Sequence, residues 1–176
     1  SAHTFMGKGA VTHLYERSLH CIGMGMKDFV IDAFEETDLV ICIGYDMVEY
    51  PPARWRVGAD KKVIHINATP AEVDAAYLPD IELVGNIKTI MAELTAALTD
   101  KHVKADPYLA EAQEKIETDV RSDRDDDSFP CKPKRILDGI RKVLRDDDIL
   151  ISDVGAHKMW IARHYHCYEP NTCLIP

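Results

Sequence analysis

Three short apolar runs dominate the first half of the chain: "DLVICIG" (Asp38–Gly44), "KKVIHIN" (Lys61–Asn67) and "IELVGN" (Ile81–Asn86). Each is rich in β-branched residues and closes on Gly or Asn, the pattern of strands buried on both faces of a parallel sheet. Helical spacing surrounds them. "KDFVIDAFEETD" (Lys27–Asp38) sets Phe29, Val30, Ala33 and Phe34 on one face. "NIKTIMAELTAAL" (Asn86–Leu98) does the same with Ile87, Ile90, Met91, Leu94 and Leu98, with Asn86 placed to cap it. Strand alternating with helix predicts an α/β fold, a doubly wound, Rossmann-like parallel sheet with right-handed crossovers. "ATPAEVDAAYLPD" (Ala68–Asp80) reads as a loop with one short helix, Thr69 its cap and Pro70 in its first turn.

The character changes between Thr99 and Pro130. "DPYLAEAQEKIETDV" is a polar helix with a thin stripe of Leu109, Ala112, Ile116 and Val120, and "RSDRDDDSFP" has no core-forming content. This stretch predicts an interdomain connection. Alternation then resumes: a helix over Lys132–Leu144 facing a core with Ile136, Ile140, Val143 and Leu144, a strand within Asp146–Gly155, a helix from Ala156, and a strand in "TCLI" (Thr172–Ile175). These elements open a second α/β domain. By themselves they cannot close a core, so Trp160, Ile161 and Leu174 are expected to lack partners.

Charge and cysteine usage narrow the classes of function. A net charge of −9, with lysine and arginine scattered and the densest run acidic (Arg121–Asp127), argues against nucleic acid as a partner. No apolar run reaches the roughly 20 residues of a membrane span, and the start lacks the basic and long apolar regions of a signal peptide. Five cysteines, an odd number with no CxxC pair, fit reduced thiols and a cytoplasmic location. The eight histidines show no metal-ligand spacing; "HYH" (His164–His166) is the nearest case and reads as helix-end chemistry, so no metal ligand is expected.

Open α/β sheets bind ligands at the carboxyl ends of their strands, which directs attention to three loops. "GYDMVEYPPARW" (Gly44–Trp55) offers Tyr45, Asp46, Glu49, Tyr50, Arg54 and Trp55 either to a ligand or to local packing, and the residues do not decide between them. "TFMGKGAV" (Thr4–Val11) carries Gly7 and Gly9, suited to close backbone approach, but lacks both P-loop and dinucleotide spacing. "DVGAHKMW" (Asp153–Trp160) is the sharper site. Gly155 lets the chain turn off a strand, the next N–H groups face an anion position at a helix N-terminus, and His157 can add a hydrogen bond. A plain strand-to-helix turn with His157 capping locally is the slightly simpler account of the same residues.

Taken together, "DLVICIGYDMVEYPPARW" and "DVGAHKMWIARHYHCYEP", with "TFMGKGAV", "HINATPAEVD" and "PDIELVGN" in order, resemble the large subunit of acetolactate synthase, a thiamine-diphosphate enzyme, and most of all its catabolic, FAD-independent type. The resemblance implies a fragment of a larger enzyme: residues 1–100 as most of a central domain without its first strand, 101–130 as an interdomain linker, and 131–176 as the incomplete start of the C-terminal diphosphate-binding domain. It implies thiamine diphosphate and Mg²⁺ as cofactors of the intact enzyme, with the metal-binding signature after Pro176 and the activating glutamate before Ser1. The implied reaction condenses two pyruvates to acetolactate with loss of CO2, in a homo-oligomer (dimer or tetramer) serving branched-chain amino acid or acetoin metabolism. Val154, Gly155 and His157 match the turn that touches the cofactor; Ala156, the remaining position of that cofactor-binding turn, departs from the glutamine of biosynthetic relatives.

No catalytic residue is carried over, and the 176 residues alone are expected to be inactive. Flavin is not expected either: where biosynthetic relatives use Gly-Met-His this chain has Gly23-Met24-Gly25, and after the strand Gly44-Tyr45-Asp46-Met47-Val48 lacks the arginine and adds a carboxylate. The alternatives are another thiamine-diphosphate carboligase or a pyruvate oxidase, which share the short motifs, and a non-catalytic α/β module that binds a nucleotide or a partner.

Overall fold

The computed structural model describes residues 1–25, 28–56, 61–101 and 107–176. Lys27 of the expected first helix and residues 102–106 of the expected linker lie outside them. The chain forms two compact units, one of Ser1–Asp32 with Pro107–Pro176 and one of Ala33–Asp106. The first 32 residues thus pack with the C-terminal part of the chain.

In the second unit, β1 (Leu39–Ile43), β2 (Lys62–Asn67) and β3 (Ile81–Val84) form a parallel sheet in that order, with Cys42 opposite His65 and Ile66 opposite Leu83. This is the expected α/β architecture. Helix α2 (Ile87–Leu98) follows β3, and the Asn86 side chain accepts from the Thr89 N–H at 3.1 Å, the cap its sequence predicts. Two expectations fail here. The strands are not buried on both faces: β1 alternates, with Val40 and Cys42 buried but Leu39, Ile41 and Ile43 43–46% exposed. The reason is coverage, since Ile87 of α2 meets the sheet beside Gly44 and Ile90 beside Gly85, at the carboxyl ends of the strands. Nor does residues 68–80 contain a helix. Both the Ala76 and the Tyr77 N–H groups donate to Asp74 Oδ1 at 2.7 Å, an Asx-type turn that competes with helix.

Helix α1 (Phe29–Glu35) spans the division between the units, burying Val30 and Ala33. The first unit then adds α3 (Pro107–Arg121), α4 (Pro133–Val143), β4 (Leu150–Ile151), α5 (Ala156–His164) and β5 (Cys173–Leu174), with β4 and β5 parallel. Helix α3 buries Ala112, Ile116 and Val120, three of the four residues of its predicted stripe. Helix α4 is rotated from expectation: Leu137 is buried with Ile140 and Leu144 beside it, while Ile136 and Val143 are exposed. The rotation buries Lys134 as well, whose ammonium donates to the Asp119 carboxylate at 2.9 Å and to the Asp119 carbonyl at 2.7 Å.

The trailing segment does have core partners. Cys21, Leu137, Ile161, Ala162, Tyr165, Cys167, Cys173 and Ile175 form one cluster, with Phe5 and Met24 against it. The N-terminal segment therefore supplies what the C-terminal elements lack. Ile161 is buried, contrary to expectation, whereas Trp160 and Leu174 remain partly exposed. Gly9 shows how close the approach is: its φ is +89°, and a Cβ there would lie 2.8 Å from Cys167 Sγ.

Candidate functional site

The turn after β4 is built from backbone. The Ser152 N–H pairs with the Leu174 carbonyl, ending the ladder, and the Val154 N–H donates to Asp153 Oδ1 at 2.7 Å. Gly155 then adopts φ +152°, ψ −177°, a conformation open essentially to glycine alone. Helix α5 starts at Ala156 with no side-chain cap, so His157 does not cap it as one sequence reading held. Among the described residues nothing accepts from the N–H groups of Ala156 and His157; the first intrahelical bond runs from the Lys158 N–H to the Gly155 carbonyl at 3.1 Å. Val154, Gly155, Ala156 and His157 are all exposed. The four residues are thus brought together at one helix N-terminus, where unpaired N–H groups and the helix dipole favour an anion. The His157 ring lies over Gly155, its Cε1 2.8 Å from where a Cβ would stand.

In the second unit a cleft of about 100 Å³ opens beside the carboxyl ends of β1 and β2, with Tyr45, Asp46, His65, Glu72 and Tyr77 among its walls. Its aromatic groups are engaged with one another. The Tyr45 O–H donates to the Tyr50 carbonyl, and Trp55 Nε1–H donates to the Tyr45 oxygen at 3.2 Å. His65 Nε2 faces the Thr69 carbonyl, which can only accept, at 3.4 Å; in the neutral ring Nδ1 therefore accepts the Tyr77 O–H at 2.9 Å. Burial pushes the Tyr45 hydroxyl up to about 12 and the Cys42 thiol, bonded to Tyr77, up to about 11. Burial raises Tyr77 as well, with Cys42 and Tyr45 adding to the shift. All three stay protonated near neutrality, so Cys42 is no nucleophile.

The loop after β1 that the sequence left open between ligand and packing is therefore mostly packing. Tyr45 and Trp55 hold each other, and Asp46 binds its own loop through the Val48 N–H at 2.9 Å. Sequence reasoning missed Arg56, whose guanidinium donates to the carbonyls of Ala76, Leu78 and Lys61 and ties this loop to the one after β2. No periodicity marks such a residue, because its partners are carbonyls rather than side chains.

Among the described residues no helix is long and apolar enough to cross a membrane. All five cysteines are free thiols, only Cys131 of them exposed.

Residues 1–94 match the family described as thiamine pyrophosphate enzyme, central domain. Acetolactate synthase of Bacillus subtilis (strain 168) is 31% identical over 150 residues, covering 80% of this chain and 25% of the relative. Catabolic acetolactate synthase of Raoultella terrigena is 34% identical over 143 residues, again covering 80% of this chain and 25% of the relative. The chain thus spans about a quarter of the length of these relatives.

Proposed function

Since this chain belongs to the thiamine pyrophosphate enzymes through their central domain, we propose that it forms part of an acetolactate synthase that condenses two pyruvates with loss of CO2. Thiamine diphosphate, when bound, supplies the decarboxylation and carbon–carbon bond chemistry. This chain's contribution is to hold the diphosphate end. The exposed turn Val154–His157 carries the reading: unpaired N–H groups at the start of α5, a glycine conformation that lets an anion approach the backbone, and an imidazole that can turn from Gly155 to donate. The turn binds and orients and offers no ligand set for Mg²⁺, which we expect the intact enzyme to bind with residues outside this chain. The 176 residues alone are therefore expected not to turn over pyruvate.

The cleft supports the same choice by its limits. At about 100 Å³ it is smaller than the roughly 300 Å³ where ligand pockets begin, which speaks against a nucleotide bound in this cleft. Asp46 and Glu72 would also repel a dinucleotide's diphosphate, so we propose that flavin is not bound; flavin absorbance retained through purification would overturn this. The domain reading, with a central domain to about residue 100 and a diphosphate-binding domain from about 131, is part of the proposal, as are an oligomeric assembly and a cytoplasmic location.

The test uses the full-length protein containing this chain, with pyruvate, thiamine diphosphate and Mg²⁺. Acetolactate is the expected product. Acetyl phosphate would move the protein to the pyruvate oxidases, and no CO2 release would sink the reading. Gly155→Ala tests the site: a Cβ at φ +152° is strained and meets the His157 ring, so cofactor affinity is expected to fall about tenfold. Unchanged affinity would remove the turn from the site.

A further inference from the structure

Apart from the turn and the cleft, the first unit brings together three donors that no spacing rule connects. His13 and His20 lie in the N-terminal segment and Glu117 on α3, with 97 residues between His20 and Glu117. The His13 ring stacks between those of His20, with centroids 4.5 Å apart, and His166, at 3.4 Å. His20 Nε2 meets Glu117 Oε1 at 2.8 Å, and one ligand atom from each of His13, His20 and Glu117 falls within 4.8 Å of the others. The cluster is held from several sides. The His13 N–H donates to the Cys167 carbonyl at 2.9 Å, and the His20 carbonyl accepts from the His3 N–H at 3.0 Å. His20 is buried, and its backbone takes φ +56°, a left-handed conformation uncommon outside glycine.

We infer that His13, His20 and Glu117 form a binding site for a zinc-class transition-metal ion, with a fourth coordination position open to water. Two imidazoles and a carboxylate are a zinc donor set of the open type. Metal–ligand bonds of about 2.0–2.2 Å require donor atoms roughly 3.4 Å apart, so His20 Nε2 and Glu117 Oε1, at 2.8 Å, need to open slightly while separations of up to 4.8 Å close. Binding would require the His13 ring to turn out of its stack between His20 and His166 and direct a nitrogen at the ion.

The donors, not the surrounding charges, select the ion. Arg124 contacts His166, Arg121 pairs with the other Glu117 oxygen at 3.4 Å, and Lys8 and Arg163 act on His20. These cations repel any divalent ion alike, so the donors decide: one carboxylate beside two imidazoles is too little oxygen for Mg²⁺ and Ca²⁺ and suits ions that bind imidazole directly. A bound ion would tie the N-terminal segment to α3. The inference does not rest on the proposed reaction.

The test titrates this chain with Zn²⁺ against a chromogenic chelator and with Co²⁺ by visible absorption, with Mg²⁺ as control. One equivalent of Zn²⁺ and a four-coordinate Co²⁺ spectrum are expected, with a rise in melting temperature on Zn²⁺ addition. His13→Ala and Glu117→Gln should each weaken Zn²⁺ binding at least about tenfold and abolish the melting shift. Glu117→Gln retains an acceptor for His20, and metal-free melting of both variants shows whether they fold. No Zn²⁺ binding, or binding unchanged in both variants, overturns the site. So does binding that instead follows Cys167→Ser or Cys173→Ser.

Discussion

The two units bury different things. The second covers one face of its sheet with Val40, Cys42, Val63 and His65 under an aromatic group of Phe34, Tyr45, Trp55 and Tyr77, and leaves Leu39, Ile41 and Ile43 partly open on the other. The first buries more cations: the Lys8 ammonium donates to the Ala162 carbonyl at 2.8 Å near the end of α5, Arg163 pairs with Asp28 at 2.7 Å and Lys134 with Asp119, whereas the second buries Lys61, whose ammonium donates to the Phe34 and Thr37 carbonyls. Apolar burial follows local periodicity. Burial of a charge follows from a partner far away in sequence, because without one it costs several kcal/mol. Each unit also carries its own reporter, Trp55 in the second and Trp160 in the first, so the difference can be measured.

The largest expected effect is on the buried pair. Asp28 and Arg163 are 6% and 4% exposed, and Arg163 also donates to the Cys21 carbonyl at 2.9 Å. Asp28→Ala leaves the guanidinium buried without its counter-ion, so the first unit should lose about 3–5 kcal/mol. Denaturant unfolding followed through Trp160, in a Trp55→Phe background, measures it. A loss under about 1 kcal/mol would break the contrast, since the buried charge would then need no partner.

Acid should come next. Burial above all lowers His3, His164 and His166 to about 3 and His13 to about 2, from an ordinary 6.5. In the folded state these rings stay neutral where the unfolded chain takes up protons. The stability they preserve is therefore complete above about pH 6.5 and falls as pH drops toward about 3. In the second unit, Asp80 is lowered from 3.8 by the Val63 N–H and by Lys62, so its contribution is lost only below that value. Melting curves between about pH 7 and pH 4.5 should show the Trp160 transition falling and the Trp55 transition holding. Parallel falls would erase the distinction.

This contrast also sets what was legible in the sequence. β1, β2, β3 and α2 could be read with their ends, down to the Asn86 cap, because strand and helix periods are local. The loop of residues 68–80 was misread because the Asp74 side chain, invisible to periodicity, competes for the N–H groups a helix needs. The support of Ile161 by Cys21 and Phe5, and the meeting of His20 with Glu117, join segments about a hundred or more residues apart, and no spacing encodes that. Gly155 was legible as a turn, since a glycine between a strand and a helix has few other uses. The His157 ring lying over it was not, because that is a rotamer.

Tyr77→Phe sharpens the comparison from the other side. It removes the hydroxyl that meets His65 Nδ1 at 2.9 Å and pairs with Cys42, leaving buried polar atoms unsatisfied in the more apolar unit. The expected loss is about 1–3 kcal/mol, read on the Trp55 transition and absent from that of Trp160. An equal shift at both reporters would mean that the units unfold as one, and the contrast would hold for burial but not for stability.

The smallest effect is expected on the open face of the sheet. Ile41 is 43% exposed, and threonine keeps its β-branched shape while replacing a methylene-bearing branch with a hydroxyl. For a side chain only part buried, Ile41→Thr should cost about 0.5–1 kcal/mol. Parallel sheets are ordinarily covered on both faces, so this number reports on coverage as well as on the residue. A loss near that of a core truncation, about 2 kcal/mol or more, would show that the face is buried in solution; self-association of the chain would then appear as a transition that depends on protein concentration. A small, concentration-independent loss would mean that one covered face holds the second unit together, as the aromatic group around Trp55 and Tyr77 implies.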